Sequence, residues 1–221
     1  MKRALAIVVL LLLVPALVAA APSKPGAYVS GFLGVNQTDD ATLNTFDYAL
    51  GTARDYDLEF NPGIYVGGTG GYDFGMFRLE GELSYRDAEI DEITTPSGAR
   101  FRGSDDSSLG TLAVMFNAFV DLENASPVTP YFGAGVGFAT LSFEDDAFES
   151  NGNPIFYEDS ATTGAFQVGA GLEISLNPRF SLDLGYRYFK TGEATFDEYW
   201  DLENEIEIES HSFSVGFRAK F

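Results

Sequence analysis

A two-residue rhythm of apolar and polar side chains runs through this sequence and restricts it to half-buried β-strands. Strands turn successive side chains to opposite faces, whereas helices repeat every three to four residues. From Phe77 to Arg86, the residues Phe77, Leu79, Gly81, Leu83 and Tyr85 alternate with Arg78, Glu80, Glu82, Ser84 and Arg86. Phe180, Leu182, Leu184, Tyr186 and Tyr188 alternate with Ser181, Asp183, Gly185 and Arg187. Over 164–176, Phe166, Val168, Ala170, Leu172, Ile174 and Leu176 oppose Gln167, Gly169, Gly171, Glu173 and Ser175. At the C-terminus, Phe213, Val215, Phe217, Ala219 and Phe221 oppose Ser212, Ser214, Gly216, Arg218 and Lys220. Weaker alternation over 27–35, 64–74, 109–122 and 129–143 brings the expected number of strands to eight.

The connections alternate in length. Those at 74–76, 123–127 and 177–179 are tight turns, while 36–61, 87–107, 144–160 and 190–207 are long. In an antiparallel meander all long connections then emerge at one end. Long loops on one side and short turns on the other describe a transmembrane β-barrel.

A soluble barrel would show the same rhythm turned inside out, and volume separates the two. An eight-stranded barrel has room inside only for side chains. Small residues (Gly133, Gly135, Gly137, Gly169, Gly171, Ser212, Ser214, Gly216) lie on the polar faces, and bulky ones on the apolar faces. The apolar faces therefore point outward into lipid. Phe77–Tyr85, Phe180–Tyr188 and Phe213–Phe221 each span nine residues, matching the roughly 9–11 that a tilted strand needs to cross a bilayer. The fold class expected is all-β: an eight-stranded antiparallel up-and-down transmembrane β-barrel.

Met1-Lys2-Arg3 precedes an apolar run from Ala4 to Ala21. Val18 and Ala20 suit the −3 and −1 positions of a signal-peptidase site. The expected organisation is a signal peptide over 1–20, a short periplasmic lead over 21–26 and the barrel over 27–221. Both ends of the mature chain then face the periplasm.

Thirteen Lys and Arg against 33 Asp and Glu give a formal charge of −20. No basic footprint exists for nucleic acid or for a polybasic membrane-surface contact. The absence of Cys removes thiol catalysis and zinc-thiolate sites, and a single His leaves little for triads. The four long connections, with Glu209 just beyond the last, hold 26 of the 33 acidic residues, so acidity belongs to the exposed end.

The stretch from Gly169 to Phe189, GAGLEISLNPRFSLDLGYRYF, resembles the penultimate hairpin of the small Gram-negative outer-membrane β-barrel family. That family includes the OmpA transmembrane domain, OmpX and the opacity-type porin-family proteins. Thr129 to Phe138, TPYFGAGVGF, is similar in the same way. Terminal Phe221 with Phe217 and Val215 resembles the C-terminal signal read by the outer-membrane assembly machinery. The resemblance implies a cell outer membrane location, passage through periplasmic chaperones, and contact with outer-membrane lipid and lipopolysaccharide. It does not imply an activity, because the family is functionally mixed.

Candidate sites fall in three places. Arg78, Glu80, Glu82, Asn117, Asp121, Glu173, Asp183, Arg187, Arg218 and Lys220 project into the lumen, as a plug of salt bridges or as a narrow cation path. His211 faces outward near the upper rim, the position used by lipid A-modifying barrels, but Ser210, Ser212 and Ser214 belong to the opposite face. No catalytic residue and no cofactor is therefore assigned. In the long connections, carboxylates including Asp145, Asp146, Asp197 and Asp201 are candidate ligands for divalent cations. Phe148, Phe156, Tyr157, Phe196, Tyr199 and Trp200 add aromatic tips suited to a host or cell-surface ligand. The Gly67–Gly71 run lacks the Lys and helix of a phosphate loop and points to close strand packing. Asn36-Gln37-Thr38 matches a glycosylation sequon, of little meaning in a bacterial barrel. The expected function is structural and surface-interactive, with a small cation-preferring porin as the alternative and a lipid A-modifying enzyme behind it.

Overall fold

The computed structural model describes residues 25–48, 51–102, 108–144, 149–150, 153–154, 160–198 and 202–221. Eight antiparallel strands close into a barrel: β1 (Gly26–Thr38), β4 (Gly63–Asp73), β5 (Phe77–Thr94), β7 (Ser108–Asp121), β8 (Val128–Glu144), β11 (Ser160–Ser175), β12 (Phe180–Thr191) and β15 (Glu209–Lys220). Each pairs with its neighbours in chain order, and β1 closes on β15 from Tyr28↔Lys220 to Thr38↔Ser210. No helix occurs among the described residues.

Tight turns join the strands at one end. At the first, Gly75 sits at φ 99°, a left-handed conformation that glycine adopts without strain, and its N–H donates to Asp73 Oδ1 at 2.7 Å. At another, Asn177 Oδ1 accepts from the backbone of Arg179 and Phe180.

At the other end, among the described residues, much of the chain expected to be loop is strand. The first holds β2 (Ala41–Asp47) and β3 (Thr52–Asn61), and the fourth holds β13 (Ala194–Glu198) and β14 (Leu202–Ile206). β6 (Arg100–Arg102) pairs with the top of β5, and β9 (Glu149–Ser150) pairs with β10 (Asn153–Pro154). β3 pairs with upper β5, and β2 pairs with β14 from Asn44↔Glu205 to Asp47↔Leu202. The wall therefore continues upward as β13-β14-β2-β3-β5.

The physical reason is an inversion of polarity at the rim. Within the bilayer Leu33, Leu83, Val114, Val136 and Phe213 face outward and are exposed. Above it the outside is water, and apolar side chains turn inward. Leu43, Leu58, Phe60, Ala88, Ile90, Ile93, Phe196, Ile206 and Ile208 pack into one buried core with Leu109, Met115, Leu141 and Phe189. Asp57, Glu59, Glu89 and Glu207 lie between them on the outer face. A bulge preserves the pattern: Phe60 lies opposite Ile90 and Glu59 opposite Glu92, so Asp91 is extra and Ile93 still faces inward.

Candidate functional site

The lumen inside the membrane-spanning wall is filled by a charged network. Arg78 lies 3.3 Å from Asp121 and 3.5 Å from Glu173. Arg218 pairs with Glu173 and lies 3.3 Å from Asp183. Lys220 Nζ is 2.7 Å from Asp73 and 3.6 Å from Glu173. Tyr131 donates to Asp183 at 2.7 Å, and Ser181 donates to Glu173 at 2.8 Å.

A second tier sits above. Glu80 accepts from Tyr28 at 2.6 Å, and Glu82 accepts from Tyr65 at 3.0 Å. Asn117 donates to Glu82 at 3.1 Å, and Gln167 donates to Glu82 at 3.0 Å and to Asn117 at 2.8 Å. Arg187 reaches Glu80 at 3.9 Å, and Arg86 reaches Glu82 at 3.8 Å. The guanidinium groups also lie over aromatic rings: Arg86 is 4.1 Å from the Phe189 centroid, and Arg78 is 4.6 Å from that of Tyr131.

Buried charges persist only when compensated; each of these has an ionic partner, while Asp121 Oδ1 and the Nε atoms of Arg78, Arg86, Arg187 and Arg218 make no hydrogen bond. A water-filled channel would leave its lining accessible, whereas Arg78 is 1%, Glu82 2%, Gln167 1% and Asn117 0% exposed.

The nine charged residues expected in the lumen, and Asn117, lie in this network. Asp73, Arg86, Gln167 and the three tyrosines also belong to it, and sequence reasoning did not place them there. Strand parity could have found them, since each shares the inward face of its strand. Asn36 is buried as well, with its side-chain amide donating to Thr38 Oγ1 at 3.0 Å, so the sequon lies inside the barrel.

At the upper rim His211 faces outward between β1 and β12. Its Nδ1 is 2.8 Å from the Tyr186 hydroxyl, and its Nε2 is 3.6 Å from Asp39 Oδ2. Tyr188 donates to Glu209 at 2.7 Å, and Lys190 bridges Glu207 at 2.5 Å and Glu209 at 2.8 Å. These contacts hold the Lys190 ammonium pKa above its ordinary value and the Glu209 carboxyl below its own. Ser210 and Ser212 are buried on the opposite face, with Ser212 donating to Asn36 at 2.9 Å. Neither Ser210 nor Ser212 meets His211.

Asp145, Asp146 and Asp201 lie outside the described residues, as do Phe148, Phe156, Tyr157, Tyr199 and Trp200. Asp197 falls in β13 by its backbone. Among the described residues no group of three or more His, Asp or Glu could hold a metal ion. Phe196, expected as an exposed tip, instead turns inward because it follows the inverted parity of β13, and its ring centroid lies 5.3 Å from that of Phe143. Among the described residues, the exposed aromatics of the extension are Phe46 and Tyr48, packed edge to face at 4.7 Å, and Phe101. Phe217 faces outward, stacked on Phe180 at 5.4 Å, and Phe221 ends the chain fully exposed.

Known proteins bear on this architecture. The chain is 25% identical over 231 residues to the outer membrane protein PagN of Salmonella typhimurium, covering 95% of each. An uncharacterized Brucella abortus protein is 28% identical over 186 residues, and the match spans 76% of this chain but only 62% of that protein. Among solved structures, Pseudomonas aeruginosa OprG superposes with a TM-score of 0.61 at 15% identity, covering 90% of this chain and 97% of OprG, a likeness of fold. Residues 6–221 match the model of the outer membrane protein beta-barrel domain. With the closed eight-stranded wall, its lipid-facing apolar band and its ion-paired interior, the chain belongs to that outer-membrane β-barrel family.

Proposed function

We propose that this protein is a closed structural barrel whose extension acts as a surface for contacts outside the cell. The inverted polarity above the rim carries this reading. A loop serving only to connect strands needs no core, yet here two hairpins share one with the barrel wall. Such packing holds an outer face in one shape, as recognition requires. That face carries carboxylates and the exposed pair Phe46 and Tyr48, and aromatic anchors dominate binding energies at interfaces. Outer-membrane lipid and lipopolysaccharide surround the wall below, and a host or neighbouring-cell component is the partner above.

The packed lumen speaks against the cation-preferring porin, and the separation of His211 from Ser210 and Ser212 speaks against lipid A chemistry. Two experiments test the proposal. Cells displaying the intact protein should bind epithelial or neighbouring bacterial surfaces more than cells displaying a chain without residues 40–61. Equal binding by two correctly folded chains would remove the surface role. Planar-bilayer recording of pure refolded protein should show no unitary steps, and cation-selective steps would put the porin in its place.

A further inference from the structure

We infer that Asp39 and His211 form an acid-strengthened latch that sets how tightly the two extension hairpins close on each other. The inference concerns the shape of the extension and stands whether or not a surface ligand is found.

The wall has a gap at this point. The β1–β15 ladder ends at Thr38↔Ser210, with a last bond from the Asp39 N–H to the Glu209 carbonyl at 2.9 Å. Pairing between the two sides resumes only at Asn44↔Glu205. Between them residues 40–43 and 206–208 share no ladder pair, and a cleft of about 430 Å³ opens. Asp39 and Asp40 line one wall, and Glu193, Glu205, Glu207 and Glu209 line the other. Like charges on facing walls push the β2–β3 hairpin away from the β13–β14 hairpin.

Two cations oppose that repulsion. Lys190 on β12 is committed to Glu207 and Glu209, both on the same wall. His211 on β15 is the cation-forming group that reaches across, to Asp39 Oδ2 at 3.6 Å. From β12, Tyr186 holds its Nδ1 at 2.8 Å and the Tyr188 ring lies tilted nearby at 5.4 Å between centroids; on β15 itself Glu209 is the neighbouring charge. The imidazole is thus fixed in position, and what changes is its charge.

Imidazole is the side chain whose ordinary titration falls between pH 5 and 8. Lys190 and Tyr188 hold the Glu209 pKa below the ordinary carboxylate range, so Glu209 stays charged through that window. A protonated His211 draws in Asp39, the residue from which the first hairpin departs. A neutral imidazole lacks that attraction, and Lys190 then offsets carboxylates on one wall only. With His211 protonated the latch is closed, and with it neutral the latch is open.

Hydrogen exchange on the full chain, refolded in detergent, tests this. Protection of the β2–β14 amides (Asn44–Asp47 and Leu202–Glu205) is compared at pH 7.5 and 5.5 after correction for intrinsic rates. The lower β1–β15 ladder serves as the internal reference. Protection of the seam should rise about threefold at pH 5.5, the factor an exposed ion pair supplies. His211→Gln should bring the ratio to one, and His211→Lys should keep the seam protected at both pH values. A wild-type ratio of one, a retained rise in His211→Gln, or a pH response in His211→Lys would overturn the latch.

Discussion

Tyr131 lies across the bare backbone of Gly171, its partner on the adjacent strand, so close that a Cβ at 171 would stand 2.4 Å from the tyrosine hydroxyl. The same arrangement recurs inside the barrel, where Tyr28 covers Gly71, Phe32 covers Gly67 and Phe119 covers Gly133. An eight-stranded lumen takes large side chains only if their cross-strand partners are small. The Gly-rich run on β4 is explained in this way: Gly67 and Gly71 make room for β1 aromatics.

Gly171→Val should therefore displace Tyr131, which also carries the hydrogen bond to Asp183. A side chain forced into a packed interior costs about 1–3 kcal/mol. Urea unfolding of the refolded protein in detergent should show that loss, and an unchanged midpoint would mean the ring moves aside freely.

Glu173 accepts from Ser181 and meets Arg78, Arg218 and Lys220 in one buried cluster. Glu173→Gln leaves three cations short of a counter-charge. Breaking a buried pair costs about 3–5 kcal/mol, so refolding yield and urea resistance should both drop sharply. Wild-type resistance in this variant would show that the plug is held mainly by packing.

Ile206 is 1% exposed in the core of the extension. Ile206→Ala should cost about 2–5 kcal/mol locally, read as faster amide exchange in β13 and β14 while the lower barrel strands keep their protection. Val215→Ala, on the lipid face, should leave the extension untouched. Equal slowing or quickening of exchange in both regions would mean that extension and barrel unfold as one unit.

The pair Lys190–Glu209 gives a pH signature on the outer surface. Lys190 and Tyr188 lower the Glu209 pKa, so its contribution is complete above the unfolded value and fades as pH falls through the folded one. The Lys190 pKa is raised by Glu207 and Glu209, so its contribution is complete below the unfolded value and is lost as pH rises through the folded one. NMR titration should find Glu209 ionising below ordinary glutamates, and Lys190→Gln should move it back up. A Glu209 midpoint unaffected by that substitution would assign the shift to another cause.

The missed residues share one origin. Arg86, Gln167, Tyr28, Tyr65 and Tyr131 sit on inward positions that the alternation already marks, but their importance depends on what lies opposite. Glu82 meets Gln167 across 85 residues of chain, and Tyr28 meets Glu80 across 52. The extension was hidden differently. In the run from Glu205 to Glu209 the alternation continues with its sign reversed, so carboxylates stay outside while Ile206 and Ile208 go in. Charge density suggests a loop there, whereas parity describes a strand in water.

The existence and number of the eight membrane-spanning strands, their lipid-facing side and the acidity of one end are all local properties, because each follows from neighbours two residues apart and from turn chemistry. They were decided by the sequence alone. Which carboxylate meets which cation, where the wall parts above the Asp39–Glu209 bond, and how two hairpins come to share one core depend on register between distant strands. Closing the barrel sets that register, since a one-residue slip would carry every lumen charge into lipid. Only the tertiary structure could decide them.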